Sequence, residues 1–272
     1  MSIASHSDPS SPAGANASPS PWSGSSRPTP DELRGADYDT EDRIVPKRKL
    51  LVCAGPRTSS KRLARLLLAA GCGVPMEYFN PNNIRALCTR WGIRRRDYLA
   101  NVFNRRSVHG VFATNLQHQQ FRNWPRPEDF AILFAGAGFI HLTRPDKPRQ
   151  AASLAACLLT GHYGFEETTD VRTFAPWRMR RAAHQAAAII MREDRQWADF
   201  FTRWRITPLA ISQEQVNADD PRLISAITRH FDLPFHADAV ELMLKLDRGS
   251  YPGDQRLKAE LLPFVKTFLG ET

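Results

Sequence analysis

The sequence predicts an α/β fold: three layers around a central, mainly parallel sheet, preceded by a disordered N-terminal tail. Three observations predict it. Residues 49–54 form a short apolar run that leads through a basic, hydroxyl-rich loop into an amphipathic stretch, and a second strand-to-helix unit recurs at 139–161. The first 30 residues hold 10 Ser and 6 Pro with almost no large apolar side chains. Alternating strands and helices are the pattern of a parallel sheet covered on both faces. A Ser/Pro tract buries too little to offset the entropy of ordering.

In chain order, the tail covers residues 1–46 and a single domain covers 47–272. The tail carries three basic and seven acidic residues, a net charge of −4, which leaves +13 on the domain of a chain whose total is +9. At 272 residues and 42% hydrophobic content, the chain can bury one substantial core.

The run 49–54 has the length and apolarity of a buried strand. Leu63, Leu66, Leu67 and Ala70 then recur at helical spacing up to Gly71, which can supply a left-handed cap. Between them stand Gly55, Pro56, Arg57, Thr58, Ser59, Ser60, Lys61 and Arg62. A helix opening here aims unpaired N–H groups and its positive dipole end at the loop. Cations at such an end are unfavourable by about a few tenths of a kcal/mol each, so Arg57, Lys61 and Arg62 together point to a bound phosphate or sulfate. The alternative is a solvated basic turn. A triphosphatase loop needs Gly-Lys followed by Ser or Thr, and Ser60, Lys61 and Arg62 stand there instead, which disfavours that class.

Residues 139–143 alternate like a strand, Arg144, Pro145 and Asp146 turn, and 149–160 are helical in period up to Gly161. Arg144 stands at the strand's C-terminal end and Ser153 nine residues on. Ligands of open parallel sheets bind beyond the carboxyl ends of the strands, which lets the loop at 55–62 and Arg144 face one ligand; pairing of Arg144 with Asp146 is the alternative. A long helix is predicted from 178 to about 204, with Ala183, Ala187, Ile190, Trp197 and Phe201 on its core side. Arg178, Arg180 and Arg181 fall on a solvated face or toward an acidic partner.

The basic domain raises nucleic acid as a ligand, yet the basic residues are scattered and no helix-turn-helix, zinc finger or aromatic-basic ribbon is visible, so no nucleic-acid partner is expected. Cys53, Cys72, Cys88 and Cys157 lack metal spacing and read as reduced core thiols; no metal is implied. The sequence has no apolar stretch of 18 residues and no signal-peptide core, so no membrane span is expected and a cytoplasmic location is, with secretion by a signal-peptide-independent route as the alternative.

These residues carry a resemblance. The strand, the loop Pro56, Arg57, Thr58, Ser59, Ser60, the helix, then Glu77, Tyr78, Phe79, and finally Arg144, Pro145, Asp146 with Ser153 behind them, resemble the sulfotransferases that use 3′-phosphoadenosine 5′-phosphosulfate (PAPS), most nearly the bacterial trehalose-sulfotransferase family. The resemblance extends loosely over 48–266, including Trp197 to Phe201 and Pro208 to Ile211. It implies a P-loop-like architecture and PAPS as co-substrate. Further, it implies that Arg57, Thr58, Ser59, Ser60, Lys61 and Arg62 surround the 5′-phosphosulfate, that Arg144 and Ser153 hold the 3′-phosphate, and that Arg248 and Gly249 belong to a segment over the cofactor. Glu77 falls on the family's general base, and Arg57 joins it in catalysis. The family's loop glycine is Ser59 here, its last loop hydroxyl is Lys61, and its Gly-Lys motif reads Gly110, Val111, Phe112.

The implied activity is transfer of a sulfuryl group from PAPS to a hydroxyl acceptor, a sugar, by positioning and charge stabilisation. The alternative is a catalytically degenerate nucleotide-binding or secreted effector protein of the same fold. His109 and His141 are rival bases. Trp91, Arg94, Arg95, Arg96, Tyr98, Tyr163 and Trp177 are candidates for a sugar pocket or for packing. The resemblance is compatible with a homo-oligomer.

Overall fold

The computed structural model describes residues 20, 22–24, 26–40, 45–124, 126, 128–163, 173–247 and 255–271. Four strands, β1 (Arg48–Ala54), β2 (Val111–Leu116), β3 (Ala137–Thr143) and β4 (Leu209–Ser212), form one parallel sheet in the order β2-β1-β3-β4. The helices are α1 (Pro30–Leu33), α2 (Ser60–Ala69), α3 (Pro81–Trp91), α4 (Tyr98–Arg106), α5 (His118–Arg122), α6 (Glu128–Phe134), α7 (Lys147–Thr160), α8 (Pro176–Trp204), α9 (Gln213–Asn217), α10 (Pro221–His230), α11 (Ala237–Leu246) and α12 (Gln255–Leu269). The expected α/β architecture with a central parallel sheet is the observed one.

Side-chain alternation along β1 produces the layers. Leu50, Val52 and Ala54 join a core with α2, α10 and α11, whereas Leu51 and Cys53 point the other way into an aromatic core with Tyr78, Phe79, Phe112, Trp197, Phe200 and Phe201. Leu63, Leu66 and Leu67 of α2 are buried as the periodicity predicts, each worth about 1.5–3 kcal/mol. A third core joins α7, the first half of α8 and α12. Ala183, Ala187 and Ile190 of α8 lie in this core, and Trp197 and Phe201 in the aromatic one. Gly161 caps α7 in the left-handed conformation, φ 78°.

The chain leaves β1 toward β2 on one side and leaves β3 toward β4 on the other. The crevice between the C-terminal ends of β1 and β3 is therefore the topological switch point, where open parallel sheets take ligands. Gly73 (φ 75°) lets the return from α2 cross β2 closely; a Cβ there would sit 2.7 Å from the Val111 carbonyl oxygen. Met76 then bridges to Thr114, which sets Glu77 beside the C-terminal end of β2.

The boundary expected at residue 46 is one of composition; packing begins earlier. Trp22 and Leu33 enter the core of Leu50 and α2, and Asp39 receives Arg90 at 2.7 Å, Arg106 at 3.0 Å and the Trp91 indole N–H at 3.0 Å. Arg106, fully buried, donates to the carbonyls of Leu33, Arg34 and Gly35. Two apolar anchors and one buried guanidinium hold what the surrounding Ser/Pro composition alone does not.

Candidate active site

The loop that joins β1 to α2 has an unusual backbone. Arg57 and Ser59 both have φ 64°, in the left-handed region that favours glycine, and Ser59 is the N-cap of α2 without making a side-chain cap. Successive N–H groups around left-handed residues form a concave nest for anions. The N–H groups of Thr58, Ser59 and Ser60 meet no acceptor among the described residues. The loop is braced from all sides: Thr58 Oγ1 donates to the Gly55 carbonyl (2.9 Å), buried Gln150 donates to that of Pro56 (2.8 Å), Asn115 to that of Ser60 (3.2 Å), and Gln213 to Ser59 Oγ (3.1 Å). These braces come from α7, β2 and α9, so all three flanking strand ends converge on it.

Arg57 and Arg144 line the switch point. Arg57 Nε donates to Ser153 Oγ at 2.9 Å, and Arg144 Nη1 to the Arg57 carbonyl at 3.4 Å. Neither guanidinium has a carboxylate within 4 Å among the described residues, and Arg144 Nε is buried without a hydrogen-bond partner. Burial depresses the pKa of Arg144 despite the opposing charges of Asp146 and Glu214. Asp146 itself is engaged in capping α7 and pairing with Arg149, so the expected alternative of a simple Arg144–Asp146 pair is not what forms.

Lys61 reaches the Tyr163 carbonyl at 3.3 Å, and its pKa is lowered by burial, with Glu77 opposing and Arg57 and Arg65 reinforcing the shift. Glu77 is the acid of the crevice. Both its carboxylate oxygens accept from side-chain amides: Gln117 at 3.3 Å on Oε1, Gln120 at 2.9 Å and Asn80 at 3.2 Å on Oε2. Three neutral amide donors fix the orientation of its side chain. Beneath it Glu193, fully buried, caps α5 by accepting from the N–H groups of His118 (3.0 Å) and Gln119 (3.1 Å), and burial raises its pKa against those bonds.

Sequence reasoning missed Gln117, Gln120, Gln150, Gln213 and Glu193. Only Glu193 left a local signal, as an acid on the apolar stripe of α8 between Ile190 and Trp197. Other expectations are corrected. Arg62 pairs with Asp219 and approaches Asp247 at 3.5 Å, so it points away from the loop. His109 precedes β2 and so lies at the opposite end of that strand from Glu77, packed toward His236 at 6.4 Å, away from the C-terminal strand ends. His141 faces the Phe201 ring at 5.1 Å, and its pKa is lowered by burial. Phe112 is fully buried, and Tyr98 is a core residue donating to the Tyr78 carbonyl. Arg248 and Gly249 lie outside the described residues.

A left-handed loop at a helix start and two arginines without carboxylates among the described residues thus stand at the switch point, with an oriented acid at the neighbouring end of β2. The family model of the Stf0 sulphotransferases matches residues 125–250. The sulphotransferase match contains Arg144, Ser153 and all of α8; the loop at 55–60 and Glu77 precede it. Among solved structures the chain is similar to the sulfotransferase domain of the Synechococcus PCC 7002 olefin synthase, at 15% identity over 85% of this chain and 90% of that one, with a TM-score of 0.45. No curated protein matches. Among the described residues there is no cluster of three metal-ligating side chains and no helix long and apolar enough to cross a membrane.

Proposed function

We propose that the protein transfers a sulfuryl group from PAPS to a hydroxyl of a carbohydrate acceptor. The observation that supports this most is the convergence of the Arg57–Ser60 nest, Arg144 and Ser153 on one crevice, because PAPS carries phosphate at both ends of its ribose. The orphaned Arg144 Nε and the unpaired loop N–H groups fit such a ligand. PAPS supplies the sulfuryl group and, as its leaving group, the 5′-phosphate.

In this reading the loop N–H groups, Arg57 and Lys61 receive the negative charge that builds on the bridging oxygen as the sulfur–oxygen bond breaks. Arg144 and Ser153 hold the 3′-phosphate. Glu77 accepts the proton of the attacking hydroxyl as the new oxygen–sulfur bond forms, and the electron pair of the cleaved sulfur–oxygen bond of the phosphosulfate anhydride stays on the bridging oxygen, which leaves on the 5′-phosphate of 3′,5′-ADP. Incubation with radiolabelled-sulfate PAPS and a glycan panel tests the proposal: label is expected on an acceptor, and Glu77→Gln lowers transfer at least about 10²-fold. Full activity in Glu77→Gln removes it from the base role. A second reading, a nucleotide-binding relative without turnover, draws support from the strained Ser59 in the glycine position and from the Arg57–Ser153 bond, which joins two side chains assigned to separate phosphates. Nucleotide binding without transfer over the whole panel would favour it.

A further inference from the structure

The start of α8 carries an exposed aromatic and basic surface. Pro176, Trp177, Arg180, Arg181 and His184 line an open groove of about 650 Å³. Trp177 is 65% exposed, and beside it Phe268 of α12 is 42% exposed. Positions 177, 180, 181 and 184 fall at i, i+3, i+4 and i+7, on one face of the helix.

Arg34, Arg48, Arg90, Arg126, Arg222 and Arg256 on the surface sit on carboxylates. Arg178, Arg180 and Arg181 have no carboxylate within 4 Å among the described residues. Like charges at helical spacing repel, so an anion bound across them relieves a small cost. Two of these guanidinium groups are also set on rings, Arg178 at 5.5 Å from Phe174 and Arg180 at 6.0 Å from Phe264, and the His184 ring lies 4.8 Å from Phe268. Held against aromatic faces, the cations lose less freedom when an anion binds.

We propose that this groove binds an acidic carbohydrate chain. The exposed indole offers the flat apolar face on which a pyranose ring stacks, and Arg180 and Arg181 offer bidentate donors for its carboxylate or sulfate groups. Both features are needed: charge alone fits any polyanion, and a ring alone fits any sugar. The site is separate from the crevice at the strand ends, and its occupancy is measured by binding alone, whether or not transfer occurs.

The test is calorimetric titration of the full chain with a heparin-derived octasaccharide at 0.15 M salt. Arg180→Ala/Arg181→Ala is expected to weaken binding at least about 10-fold, and Trp177→Ala about 3- to 10-fold by loss of stacking. Arg192→Ala/Arg195→Ala, which removes the same charge from another exposed stretch of α8, should change it less than about 2-fold. Neutral maltooctaose should not bind detectably. Equal losses in the two arginine doubles, or an unchanged affinity in Trp177→Ala, would overturn the proposal in favour of diffuse charge. Equal or tighter binding of a glutamate octapeptide or of phosphatidylglycerol vesicles through Trp177, Arg180 and Arg181 would overturn the carbohydrate assignment.

Discussion

Two arginine clusters flank the same short helix, and they are finished in opposite ways. On the inner side of α2, Arg65 and Asp247 form a buried pair at 2.6 Å, with Arg62 at 3.5 Å and Arg27 at 3.4 Å converging on the same carboxylate. At the N-terminal end, Arg57 and Arg144 meet, among the described residues, a hydroxyl and a carbonyl but no carboxylate. One cluster carries its own anion and holds the fold; the other, in the proposed function, takes its anion from the nucleotide. Basic residues two helical turns apart in sequence therefore serve unrelated ends, and the partner, which is 182 residues away for Arg65, decides which.

The comparison breaks most visibly at Asp247, whose side chain is 2% exposed. Asp247→Ala leaves buried cations uncompensated and is expected to cost about 3–5 kcal/mol in denaturant unfolding, whereas Arg57→Ala should cost no more than about 1.5 kcal/mol. Similar losses in the two variants would erase the distinction.

A smaller effect concerns the loop backbone. A β-branched side chain at φ 64° is strained by about 1–2 kcal/mol, so Ser59→Val, which also loses the Gln213 bond, should destabilise by about 2 kcal/mol in thermal unfolding. Ser59→Gly should stay within about 1 kcal/mol of wild type, as relief of strain offsets the lost bond and glycine's greater unfolded freedom. Equal effects of Val and Gly would mean the loop relaxes out of the left-handed conformation.

The smallest effect is a fraction of a proton. The Lys61 pKa is lowered by burial from the ordinary 10.5, so between the two values the unfolded chain binds more protons and stability rises with pH through that window. A polyanion in the crevice pulls the pKa back up, so 3′,5′-ADP binding at pH 9 should take up protons, read as a dependence of the binding heat on the buffer's ionisation heat. Lys61→Arg should abolish this uptake. Its persistence in that variant would assign it to another group.

Much of this was legible in the chain. The strand–loop–helix at 48–69 and the strand–turn–helix at 137–160 follow from apolar runs, glycine caps and local periodicity, which sequence displays directly. Strand β2 was not read, because Val111–Leu116 is short and buried throughout and so shows no alternation. The residues flagged by the resemblance at Arg57, Glu77, Arg144 and Ser153 do gather at the strand ends. Their supports stayed hidden: Gln120 reaches Glu77 across 43 residues and Gln150 reaches the loop across 94, and neutral amides carry no pattern that announces such contacts. The packed segment around Trp22 and Leu33 was obscured by the composition around it.

The central claim is that the crevice at the β1/β3 switch point holds two separated phosphates, and titration of wild type and Arg144→Ala with 3′,5′-ADP and AMP tests it most directly. The account predicts that 3′,5′-ADP stabilises the wild type by about 2.7 kcal/mol at 100 times its dissociation constant, that AMP binds at least about 10-fold more weakly, as the loss of one charge-assisted contact implies, and that Arg144→Ala removes the difference between them. Equal binding of the two nucleotides by the wild type would contradict it.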